Sequence, residues 1–146
     1  MSRFLIAFST TDGHTPRICA RLQREIEGRG HVVTVVPLAE ADALDLGAFD
    51  RIVLGASIRY GKHQPQVAQF ISRHQQQLER ASGAFFSVNI VARKPEKNRP
   101  DTNPYLRKFV GQMRWRPKEL EVFAGKLDYP RYGFFDRLVI RLIMSI

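Results

Sequence analysis

Apolar and polar positions along this chain sort into two recurring patterns, short apolar runs and longer stretches with helical spacing. Residues 4–8 (FLIAF) are an unbroken apolar run, as expected of a parallel strand covered on both faces. From residue 15 to 29 the apolar positions Ile18, Leu22 and Ile26 recur every four residues and Gly28 and Gly30 follow, which predicts a first helix with a glycine stop. Residues 31–37 (HVVTVVP) and 51–56 (RIVLGA) predict the second and third strands, joined by a polar, alanine-rich connection. A helix is expected from about Pro65, carried by Val67, Phe70, Ile71 and Leu78. Residues 84–91 (AFFSVNIV) predict a fourth strand, and residues 92–104 (ARKPEKNRPDTNP) a basic loop whose three prolines exclude regular structure. A short helix over residues 105–113 and a fifth strand over 120–124 (LEVFA) complete the series. Strands alternating with helices imply an α/β fold with a doubly wound, five-stranded parallel sheet, order 2-1-3-4-5.

The chemistry is concentrated where these strands end. After the first strand, Ser9, Thr10, Thr11 and Thr15 place four hydroxyls within seven residues. Gly13 permits a tight turn, and Thr15 is the expected N-cap with Pro16 as the first helical residue. Such a junction aims backbone N–H groups at an anion, and hydroxyls without a lysine suit a monophosphate that needs no metal. Capping alone also accounts for hydroxyls at a strand-to-helix junction. No G-x-x-x-x-G-K-[ST] and no G-x-G-x-x-G follows the strand, which argues against a nucleoside triphosphatase or a dinucleotide-binding domain. In the order 2-1-3-4-5 the ends of strands one, three and four surround one crevice, and they carry STTDGHT, SIRYG and NIVAR. A phosphate cradle beside two loops of aromatic and polar residues suits a flat phosphorylated cofactor, FMN foremost. Asp12 is expected to turn away from the phosphate and cap the loop.

Charge narrows the partners. The 146 residues, enough for one domain, carry a formal net charge of +9, so an anionic partner is expected: nucleic acid, a lipid surface or an acidic small molecule. The single cysteine, Cys19, excludes an internal disulfide framework and falls among the apolar positions of the first helix, as a small core residue would. The N-terminus enters a core strand at once without a signal-peptide pattern, which points to the cytoplasm. His14, His31, His63 and His74 lack partners at ligand spacing, and no metal site is expected.

STTDGHT, GASIRYG (residues 55–61), SVNIVARKPEK (87–97), WRP (115–117) and YPRY (129–132) together resemble the flavodoxin-type, menaquinone-dependent protoporphyrinogen IX dehydrogenases of bacterial haem synthesis. The resemblance covers nearly the whole chain. The first motif is generic for flavodoxins and departs from their S/T-x-T-G-x-T spacing by one residue, Asp12 before Gly13; the second and third are far more specific. The resemblance implies one flavodoxin-like domain over residues 1–146 that binds FMN. The phosphate would lie at Thr11, Asp12, Gly13, His14 and Thr15, with Ser9 and Thr10 near by. The ring would lie between Ser57, Ile58, Arg59, Tyr60 and Gly61 on one side and Asn89, Ile90, Val91, Ala92 and Arg93 on the other. It further implies oxidation of protoporphyrinogen IX, through hydride transfer to the flavin, with electrons passed to a membrane quinone. No residue must serve as a general base, so no catalytic residue is assigned.

Tyr60 is placed to stack on the ring or merely to close a turn. Arg59 and Lys62 flank it as candidate partners for substrate carboxylates, with plain solvation the default. Arg93, Lys94 and Lys97, with Arg99, form the densest basic loop, suited to steering the propionates of a porphyrinogen. Electron-carrier flavodoxins share the fold but are typically acidic, and an NAD(P)H-dependent quinone reductase fits the fold as well. A nucleic-acid-binding module would use the same basic excess but would carry no flavin, and nucleic acid is not the expected partner.

The C-terminal stretch adds a membrane expectation. Over residues 134–146 (FFDRLVIRLIMSI), Phe135, Leu138, Val139, Leu142, Ile143 and Ile146 share one helical face and Arg137 and Arg141 another. Such a basic amphipathic tail, over residues 128–146, is too short to span a bilayer. It could lie on an anionic inner-membrane surface on the cytoplasmic side, with Phe134, Phe135, Leu138, Val139 and Leu142 toward lipid and Arg141 toward headgroups. An ordinary core-packing helix is the alternative. Either the fold lacks the helix expected after strand five, or this tail substitutes for it.

Overall fold

A computed structural model describes residues 1–9, 14–59, 62–63, 65–88, 103–113, 115–117, 119–123 and 139–141. Strand β1 (Arg3–Ser9) leads into helix α1 (His14–Glu27), and β2 (Val32–Pro37) follows. Next come a short helix α2 (Leu38–Ala41), a 3-10 turn (Leu46–Ala48) and strand β3 (Arg51–Arg59). The chain continues through β4 (Lys62–His63), α3 (Pro65–Arg73), α4 (Gln75–Arg80), β5 (Ser82–Val88), α5 (Pro104–Gln112) and β6 (Glu119–Phe123). Five of the strands form a parallel sheet in the order β2-β1-β3-β5-β6, with β4 paired antiparallel to β3. Counting parallel strands alone, this is the expected order 2-1-3-4-5.

The apolar run of β1 is buried on both faces because residues of opposite parity enter different cores. Phe4 and Ile6 pack with Ile18, Cys19, Leu22 and Ile26 of α1, while Leu5 and Ala7 pack with Phe70, Ile71, Leu78, Leu106 and Trp115 on the other side. Burial pushes the Cys19 thiol up to about 12, so it serves as a small, inert core residue. The stop of α1 is as the glycines predict: the Gly28 N–H donates to Arg24 O at 2.9 Å, and Gly30 takes φ +91°, a left-handed conformation that suits glycine.

Gly55 on β3 answers a different need. A Cβ there would stand 2.2 Å from Phe86 Cζ, so the glycine makes room for the phenylalanine ring of the neighbouring strand. This ring packs in the α1-side core, next to the strand pair that carries the crevice.

Several boundaries differ from the sequence expectation. Helix α1 begins at His14, which places Thr15 inside the first turn rather than at the N-cap. The connection after β2 contains α2 and the 3-10 turn, the latter capped by Asp45, whose carboxylate accepts from Gly47 N at 3.1 Å. The helix after Pro65 is interrupted at His74, whose Nε2 lies 2.7 Å from Asp42 Oδ1 while Arg73 donates to the other oxygen at 2.7 Å. The two partners hold the Asp42 carboxyl below its usual range. Pro104, expected in the loop, is the first residue of α5, where a missing N–H costs nothing, and buried Asn103 caps that helix by accepting from Leu106 N at 3.2 Å.

The tail is described over residues 139–141, which are helical. Val139 is fully buried in the α1-side core, and Arg141 donates to Glu121 Oε2 at 2.6 Å and lies 3.7 Å from Glu119 Oε2 on β6. Val139 therefore corrects the lipid-facing expectation, since it packs on the sheet, whereas Arg141 meets carboxylates of the edge strand and stays half exposed. Ile140 is exposed. Phe134, Phe135, Leu138 and Leu142 lie outside the described residues. Among the described residues no helix is long and apolar enough to cross a membrane.

Candidate functional site

The carboxyl ends of β1, β3 and β5 lie side by side, because β3 pairs with both neighbours. Ser9 pairs with Ala56 and Ala56 with Ser87, so these residues form one row across the rim of the sheet; Ser57 pairs with Val88 one step further out. Adjacent strands are about 4.8 Å apart, so the row places Ser9 and Ser87 within roughly 10 Å of each other. Ser9, Ser57 and Ser87 are all buried.

At the β1 end of the row the buried hydroxyls of Ser9 and Thr15 have no hydrogen-bond partner among the described residues. Buried polar groups are almost always satisfied, and each exception calls for a reason. Ser9 closes β1 and Thr15 sits in the first turn of α1, a fourteen-residue helix with no acidic residue in that turn. The free N–H groups and positive dipole end of that turn, together with two unsatisfied hydroxyls, favour a small anion that can accept from both. A phosphate monoester fits this donor set, as the FMN expectation requires. Residues 10–13 between them, with the candidate residues Thr10, Thr11, Asp12 and Gly13, lie outside the described residues. His14 opens α1.

The β3 end differs from the loop that sequence suggested over residues 57–61. Strand β3 runs on through Ser57, Ile58 and Arg59, and the chain returns as β4, with Ile58 paired to His63 and Arg59 to Lys62. Two residues separate the arms, Tyr60 and Gly61, and they lie outside the described residues. The sequence carries none of the Asn-Gly, Asp-Gly or Gly-Gly pairs that announce a two-residue hairpin here, which is why the stretch reads as a loop.

His63 is the residue that sequence reasoning missed. Its Nε2 lies 2.9 Å from Ser87 Oγ, and its ring meets Phe85 edge-on at 5.7 Å and Phe109 at 4.6 Å. Burial lowers its pKa to about 4, so the imidazole is neutral at physiological pH. No spacing rule announces this group, since Ser87 is 24 residues away and Phe109 belongs to another helix. Beyond β5, the candidates Asn89, Ile90, Val91, Ala92, Arg93, Lys94 and Lys97 lie outside the described residues.

A family model described as a flavodoxin domain matches residues 5–146. Protoporphyrinogen IX dehydrogenase (quinone) of Escherichia coli K12 is 44% identical over 142 residues, covering 97% of this chain and 78% of that protein. A protein of the same name from Leishmania major is 42% identical over 143 residues, covering 97% of this chain and 62% of that one. Among solved structures, oxidised flavodoxin 2 from Bacillus cereus superposes with a TM-score of 0.73 at 18% identity, covering 99% of this chain and all 100% of that one, a likeness of fold.

Proposed function

The chain belongs to the flavodoxin-domain family, and we propose that within it the protein is an FMN-dependent, quinone-reducing protoporphyrinogen IX dehydrogenase. The observation that carries the reaction is the near full-length relationship to dehydrogenases of that name. The unpartnered hydroxyls of Ser9 and Thr15 supply the place for the cofactor phosphate. When bound, FMN supplies the two-electron chemistry between a reduced macrocycle and a quinone.

The chain's own residues bind and orient. Ser9 and Thr15 donate to phosphate oxygens, assisted by the first-turn amides of α1 and by residues 10–14. The hairpin at Ser57, Ile58, Arg59, Tyr60 and Gly61 borders one side of the ring, and residues 89–93 border the other. Arg59, Lys62, Arg93, Lys94 and Lys97 attract the propionate carboxylates of the porphyrinogen, for which arginine offers paired N–H groups. The whole chain acts as one FMN-binding domain.

Delivery of electrons to a lipid-soluble quinone calls for contact with the cytoplasmic face of the inner membrane. The charge of +9 supports an anionic surface as partner, and Phe134, Phe135, Leu138 and Leu142 are the residues assigned to it. The enzyme is tested by mixing purified protein with FMN, protoporphyrinogen IX and a quinone without oxygen. Porphyrin fluorescence should rise only when quinone is present, without any nicotinamide. No quinone-dependent rise removes the dehydrogenase. Co-sedimentation with anionic but not neutral vesicles tests the surface, and equal binding to both removes it.

A further inference from the structure

His63 joins three segments that the FMN reading places around the crevice. It sits on the returning arm of the β3–β4 hairpin. Ser87 and Phe85 belong to β5, which precedes residues 89–93 in the chain, and Phe109 belongs to α5. Phe85 and Phe109 also stack on each other, 5.2 Å apart with planes at 20°, so the imidazole closes a cluster of three rings.

A hairpin whose second arm is two residues long is marginal on its own. Without a side-chain anchor it would sample many orientations, and ordering it would be charged against ligand binding. The anchor here suits the task. A neutral imidazole has one donor and one acceptor and gives the buried Ser87 hydroxyl a partner, with no net charge to bury. With Nε2 engaged by Ser87, the ring is committed to the scaffold.

We propose that His63 is a positioning residue for the flavin: by tying β4 to β5 and α5 it fixes how the end of β3, at Ser57 to Arg59, is held against the end of β5, at Ser87 and Val88. The proposal rests on the FMN reading above. His63 acts through Ser87 and Phe109, and a flavin at this rim would feel it as a change in how firmly the β3–β4 arm is held to β5.

The test titrates FMN into apoprotein and follows quenching of flavin fluorescence for wild type, His63→Ala, His63→Gln, Ser87→Ala and Phe109→Leu. The absorption spectrum and reduction potential of each loaded protein are recorded beside its thermal midpoint. His63→Ala should weaken FMN about tenfold, the scale set by one lost, partly buried hydrogen bond, and should shift both spectrum and potential. His63→Gln, which can still bond Ser87, should recover most of the affinity, and Phe109→Leu should shift affinity in the same direction by less. Lower thermal midpoints with wild-type FMN affinity, spectrum and potential in all four variants would reduce His63 to a structural residue and overturn the proposal alone. No FMN binding by wild type would overturn the cofactor reading and this proposal with it. Should His63→Ala fail to fold, Ser87→Ala and Phe109→Leu decide by the same readouts.

Discussion

Two pairs of polar side chains, all buried but the partly buried His63, stand on the same rim of one sheet, two strands apart, and are treated in opposite ways. Ser9 and Thr15, where β1 hands over to α1, reach no partner among the described residues, whereas His63 and Ser87, where the hairpin meets β5, bond each other at 2.9 Å. An unsatisfied buried hydroxyl raises the free energy of the empty protein, and an incoming acceptor recovers that cost on binding. A satisfied pair has nothing to recover and contributes rigidity instead. One end of the crevice is thus prepared for an external group, and the other is closed by the protein itself.

The most severe way to break the contrast is to disrupt the strand that holds the two ends together. Gly55→Val would drive a Cβ into the ring of buried Phe86, 2.2 Å from its Cζ. Overpacking of this kind should cost about 3 kcal/mol or more and abolish FMN retention with it, as a urea melt and the flavin absorbance would report.

Acid should act on the closed end alone. His63 titrates near 4 in the folded chain against an ordinary 6.5, so between these values the unfolded chain takes up a proton that the folded chain refuses. Stability from this site is complete above about pH 6.5 and is lost as the pH falls toward 4, by up to about 3 kcal/mol. Urea midpoints across that range should slope for wild type and flatten for His63→Phe. A wild-type midpoint that stays level would refute it.

The open end should respond with the opposite sign. Ser9→Ala with Thr15→Val removes hydroxyls that have no partner, so the apoprotein should gain about 1 kcal/mol while FMN affinity drops by roughly tenfold to a hundredfold. Ser87→Ala should instead destabilise the apoprotein by about 1–2 kcal/mol, because it strands the His63 nitrogen. If both changes moved apoprotein stability in the same direction, the contrast between the two ends would fail. The smallest effect belongs to the far edge of the sheet. Arg141→Ala should cost about 1 kcal/mol or less, diminishing in high salt, since its guanidinium is half exposed. FMN affinity should not change, because the lost contacts lie on β6.

Periodicity alone was enough to specify the five parallel strands, the helices that follow β1 and precede β5 and β6, and the junction where hydroxyls collect, though not α2 or the break at His74, since apolar runs and four-residue spacing are local signals that burial on a two-sided sheet must satisfy. The hydroxyl cluster after β1 was legible for the same reason: Ser9, Gly13, Thr15 and Pro16 are neighbours in the chain. Three features were decided only by packing. Residues 57–59 became strand, because Ser57 pairs with Val88 of β5 and β4 returns to pair with Ile58 and Arg59. Val139, amphipathic by spacing, turned inward because a core beside α1 was there to receive it, and Arg141, half exposed, met carboxylates on β6. His63 acquired its role from Ser87 and Phe109, residues far along the chain that only the folded sheet brings within reach. A one-dimensional pattern encodes which face of an element is apolar, but not which distant group will meet it.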